Sequence, residues 1–131
     1  MTIRVEVSVG EFLDKLSILE IKAERIEDPV KLGHVRRELE SMRAAWAASP
    51  FAGADPGEDY AQLAALNRAL WEIEDRIREH EARGSFDADF IELARSVYLT
   101  NDRRARLKRR LNVRLGSDLV EVKSYRGSEA P

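Results

Sequence analysis

Residues Asp87 to Leu115 read D-A-D-F-I-E-L-A-R-S-V-Y-L-T-N-D-R-R-A-R-L-K-R-R-L-N-V-R-L. The stretch has no proline or glycine and predicts one long helix. At about 100° per residue, Phe90, Ala94, Val97, Tyr98, Ala105 and Leu115 share a face. Asn101, Arg104, Lys108 and Asn112 fall on that same face. A buried polar group without a partner costs roughly 1–3 kcal/mol, and a charge costs more. Either neighbouring helices carry the partners, or the face opens into a polar pocket.

Upstream, three more helices are expected. Ser8 with Glu11 three residues on forms a capping-box pattern for a helix running to about Arg25. Its main stripe is Phe12, Leu16, Leu19 and Ala23. Ile18 and Ile21 lie opposite, so this helix buries two faces, either centrally or against a partner chain. Asp28-Pro29 opens the second helix, with Leu32, Val35, Leu39, Met42 and Trp46 at seam spacing. Asp55-Pro56 opens the third after the Pro50–Gly57 loop. It carries the stripe Leu63, Leu66, Leu70, Ile73 and Ile77, and Gly84 is its C-cap. Phe86 and Ile91 are spaced for a hydrophobic staple around Asp87, and Gly116 ends the fourth helix. Ile3–Val7 and Leu119–Lys123 alternate in the manner of short strands. The expected fold is mainly α: an antiparallel four-helix bundle with two short terminal β-strands paired with each other or across a dimer. Residues 1–125 would form a single helical domain and 126–131 a disordered tail.

The chain has 131 residues, a net charge of −2 and no cysteine. Disulfides, thiolate metal sites and a thiol nucleophile are excluded. Near-neutral charge gives no global attraction to nucleic acid or anionic lipid. No signal segment or membrane-length apolar run is present, so a soluble cytoplasmic protein with no membrane partner is expected. His34 and His80 lack the spacing of a metal site, and no phosphate-binding glycine loop or nucleophile elbow occurs. Neither a metal nor a cofactor is expected.

The candidate site residues are the inward-leaning polar ones: Glu20 on the first helix, Asn67 and Glu74 on the third, and Asn101, Arg104 and Lys108 on the fourth. Trp71 and Arg78 border them. One interpretation is an internal network of ion pairs and amides that fixes helix register. The other is a ligand pocket in which Arg104 and Lys108 grip a phosphate or carboxylate while Glu20 or Glu74 accepts hydroxyls or acts as a base. Arg95, Arg103, Arg106 and Arg110 share the opposite face of the fourth helix. They suit a phosphate-backbone track, or a solvated face paired with acidic helix surfaces.

The blocks Val9–Lys22 (V-G-E-F-L-D-K-L-S-I-L-E-I-K), Asn67–Asp75 (N-R-A-L-W-E-I-E-D), Phe90–Arg110 and Gly116–Tyr125 resemble a family of short bacterial proteins catalogued only as a domain of unknown function. The second and third blocks are also similar to another uncharacterised bacterial family. The resemblance implies a compact helical unit found near sugar-transfer and surface-polysaccharide genes, and it assigns no catalytic role. The expectation is a non-catalytic, homodimeric helical module with a pocket for a small anionic ligand such as a sugar phosphate. Acid-base or transfer chemistry on such a ligand is the alternative. Nucleic-acid binding comes third.

Overall fold

The structure, a computed structural model, describes residues 1–126. The tail expected at 126–131 lies, from residue 127 on, outside the described residues. Four helices follow in order: α1 (Val9–Arg25), α2 (Pro29–Ala47), α3 (Gly57–Arg83) and α4 (Ala88–Leu115). Their ends follow from local chemistry. The Ser8 side chain accepts from the Glu11 backbone N–H, Asp28 from Lys31 and Asp87 from Phe90. Gly84 (φ 63°) and Gly116 (φ 73°) close α3 and α4 in the left-handed region, where a side chain would be strained. The staple forms differently from expectation. Phe86 meets Phe90 edge-on at 5.1 Å between ring centroids, and Ile91 stays exposed.

Helix α1 is the hub. It contacts all three other helices, whereas α2 packs against α1 alone among the helices. One flank of α1 meets α2 through Leu19, Val35 and Leu39. The other joins Val9 and Leu13 to Leu63, Leu107 and Leu111. On the second face predicted for α1, Ile21 is buried within the chain and Ile18 is half-buried. Phe12 adds a stacked run with Trp46 and Phe51, which ties the end of α2 and the following loop to that core.

The expected terminal strands are absent among the described residues; Ile3–Val7 and Leu119–Lys123 form no regular secondary structure. Their alternating apolar residues bury little: Ile3 is 92% and Val122 83% exposed. A strand gains stability from paired backbone and a covered face, and these segments have neither. The C-terminal segment is instead held by side chains. Ser117 Oγ accepts from the Val9 N–H at 3.2 Å and donates to the Leu119 carbonyl at 2.7 Å.

Helix length places the site. At about 1.5 Å per residue, α1 spans roughly 25 Å while α3 and α4 span roughly 40 Å. Its first turn sits at the C-terminal end of α4, where Gly10 N–H donates to Asn112 Oδ1 at 2.6 Å. Its last residue, Arg25, reaches Glu72 of α3 at 3.3 Å. The α3–α4 hairpin therefore projects past α1 by about 15 Å. His80 braces the turn of that projection, with Nδ1 3.0 Å from the Ser85 carbonyl.

Candidate functional site

The polar face of α4 points at α1. The centre of the contact is Asp14, with a side chain only 5% exposed. Arg104 donates to both its oxygens, at 2.6 Å from Nη2 and 3.4 Å from Nε. Asn67 donates to Asp14 at 2.9 Å and to Ser17 Oγ at 2.7 Å, and the Ser17 hydroxyl donates to the Asp14 carbonyl. Asn101 accepts from Arg104 Nη1 at 2.8 Å. One buried carboxylate thus organises three elements, with a two-point guanidinium contact of the strong kind.

Lys108 lies one turn further along α4, its side chain 10% exposed. Its ammonium reaches Glu11 at 2.7 Å, Glu121 at 2.9 Å and Asp14 at 3.9 Å. Burial alone would lower its pKa. The hydrogen bonds to Glu11 and Glu121, with the charge of Asp14, outweigh that and hold it above the ordinary lysine value. Reciprocally, the Lys108 hydrogen bond lowers the pKa of Glu121 against partial desolvation. The segment after Gly116 thus closes over Lys108, leaving a void of only about 10 Å³ beside it. Backbones approach closely here. A Cβ added to Gly10 would lie 2.5 Å from the Lys108 carbonyl oxygen, so only glycine fits this crossing.

Of the six predicted site residues, Asn67, Asn101, Arg104 and Lys108 come together. Glu20 and Glu74 do not join them. Glu20 accepts from the Tyr60 hydroxyl at 2.6 Å, and burial with that bond raises the Tyr60 pKa. Glu74 is exposed and pairs with Arg78 one turn along its own helix. The carboxylates that serve the network are Asp14, Glu11 and Glu121. Asp14 shares the second face of α1 with Ile18 and Ile21, and with Gly10 and Ser17 at helical spacing. That pattern was a usable signal for it. No buried side-chain nitrogen or oxygen lacks a hydrogen bond among the described residues.

A second feature lies on the other flank of α4, where α3 and α4 enclose an open groove of about 1160 Å³. Leu66, Leu107 and Val113 line it, with Val113 77% exposed. Along α4 its wall is Arg103, Arg106, Arg109, Arg110 and Arg114. On the α3 side, buried Asp59 draws Arg110 to 3.0 Å and Arg114 to 3.5 Å. Arg114 also donates to the carbonyls of Asp55 and Pro56 at the start of α3. Arg103 and Arg106 have no ion pair among the described residues.

Fold and site together define an all-helical protein with a charge-paired interior seam and a cationic outer groove. No described helix is long and apolar enough to cross a membrane. The chain belongs to a family described as a family of unknown function (DUF6165), which matches residues 3–130. No curated protein and no solved structure matches it.

Proposed function

We propose that this protein is a non-catalytic binding module that recognises an anionic partner along the α3–α4 groove, and that the seam between α1 and α4 is architecture. The carrying observation is the difference in pairing. Arg104 and Lys108 are each met by carboxylates, whereas Arg103 and Arg106 stand in the groove without one among the described residues. A sugar phosphate using Arg104 and Lys108 would have to displace Asp14 or Glu11 and Glu121, stranding a buried charge. The chemical alternative needs Glu20 or Glu74 as a base beside those cations, and both lie elsewhere.

The test compares binding of inorganic polyphosphate and of hexose phosphates to the native chain, to Lys108→Met, and to Arg103→Glu with Arg106→Glu. Polyphosphate binding is expected to survive the first change and disappear with the second. Hexose phosphate binding abolished by Lys108→Met alone, in a folded protein, would return the site to the seam.

Self-association is a second reading. It rests on Phe86, Ile91 and Tyr98, all more than half exposed on the projecting end of the hairpin. Sedimentation of the native chain at high micromolar concentration checks it. A single species of monomer mass would remove it.

A further inference from the structure

We infer that the occupant of the α3–α4 groove is an acidic amphipathic helix of a partner protein, bound with its apolar face on Leu66, Leu107 and Val113 and its carboxylates on Arg103 and Arg106. This deepens the proposed function and rests on its assignment of the groove.

Three observations select this class of partner. The first is architectural. Helix α1 occupies one side of the α3–α4 hairpin, and α2 stays on the outer side of α1. The opposite side of the hairpin therefore offers the valley between two helices that a further helix fills in a bundle. Exposed Ala65 in its lining keeps that approach open.

The second is size. Pockets for small ligands enclose roughly 300–1,000 Å³ and bury most of the ligand. This groove is larger, at about 1160 Å³, and open along its length. It suits an extended occupant.

The third is charge, and it separates an acidic helix from a nucleic acid. The lining is not a uniform basic track, because Glu58 and Asp59 stand on the α3 side. Those carboxylates interrupt a continuous phosphate track, whereas an amphipathic helix can place its acids on the α4 side alone. Among the described residues no aromatic side chain lines the groove for a base to stack on. Leucine and valine on the floor gain from contact with an apolar helix face and little from phosphate or sugar. Asp59 already holds Arg110 and Arg114, and Arg103 and Arg106 have no ion pair among the described residues. These are three residues apart on α4, a spacing that meets acids one turn apart on a facing helix.

The experiment titrates the full chain with fluorescent probes. One is an 18-residue amphipathic helix with leucines on one face and glutamates flanking them. Another carries lysines in place of those glutamates. The third is a 20-base-pair DNA duplex. The proteins are the native chain, Arg103→Glu with Arg106→Glu, and Ala65→Trp, which puts an indole into the valley. Circular dichroism confirms that each is folded.

The expected result is saturable binding of the acidic helix, at least tenfold weaker in the double reversal and in Ala65→Trp, with no binding of the lysine helix. If the lysine helix binds as well as the acidic one, or the acidic helix fails to bind, the inference is overturned. If the duplex binds more tightly and loses affinity in the double reversal, an anion-binding groove stands and the acidic helix falls. If no anion, polyphosphate included, responds to the double reversal, the groove reading itself falls.

Discussion

Arg104 and Lys108 meet three carboxylates on the α1 side of α4, while Arg103 and Arg106, their near neighbours in sequence, meet none among the described residues. The residue types are alike and the backbone is shared. The difference lies in what stands opposite. On the inner flank, Gly10 lets α1 approach so closely that the cations are drawn out of water, and the buried Asp14 carboxylate is aimed at them. On the outer flank, Arg103 is exposed and Arg106 half-buried beside the open groove, where solvent can reach the guanidinium groups. A basic run in sequence therefore says little until its acids are located.

The sharpest way to break this comparison is Asp14→Ala. It leaves Arg104 without its carboxylate and Asn67 without one of its two acceptors. Breaking a buried pair by removing one partner costs about 3–5 kcal/mol. A urea titration should show the midpoint falling by that equivalent with the slope unchanged. A loss within 1 kcal/mol would mean that the inner flank is as wet as the outer.

Lys108→Met should cost less, about 1–3 kcal/mol, because Glu11 and Glu121 are partly exposed and water can take over part of the ammonium's role. Thermal or urea melts that match the native chain would show that the ammonium is solvated in place of paired.

A smaller effect is expected for Glu121→Gln, and it carries a pH signature. The folded pKa of Glu121 lies below the ordinary 4.5. Its contribution is therefore complete above that value and fades as pH falls through the depressed one. Lys108 has the opposite sign: its folded pKa lies above 10.5, so its contribution holds below that and fades as pH rises through the raised value. Stability of the native chain and of Glu121→Gln should converge in acid and separate near neutrality. Parallel curves from pH 3 to pH 7 would count against the Lys108–Glu121 pair.

The smallest change in stability, within about 0.5 kcal/mol, is expected for Arg103→Glu with Arg106→Glu. A calorimetric scan that shows a large loss would place these arginines inside the architecture and erase the contrast between flanks.

Much of this was legible in advance where the determinants are local. Asp28, Asp87, Gly84 and Gly116 mark helix ends through chemistry contained in four or five residues. The polar arc of Asn101, Arg104, Lys108 and Asn112 was legible because the helical repeat alone puts them together. Their partners were not. Angular position selected Glu74 and Glu20, but a wheel gives the direction of a side chain and not which neighbour occupies that direction. Glu74 faces solvent because no helix lies over it. The terminal segments misled for a related reason. Alternation in Val5-Glu6-Val7 and Val120-Glu121-Val122 is a necessary pattern for a strand, but pairing supplies the stability. Glu121 is instead engaged with Lys108.

The central position of α1 has a consequence for biosynthesis. Of the four helices this one is made before the others, and α2, next in order, can cover only one of its flanks. The other flank, with Leu13 and the carboxylate of Asp14, waits for α3 and then for Arg104 of α4. At roughly 5–20 residues per second, the interval between Arg25 and Leu115 lasts on the order of 5–20 s. During that time the nascent chain displays an apolar, charged seam that is not yet closed, a natural point of engagement for a chaperone.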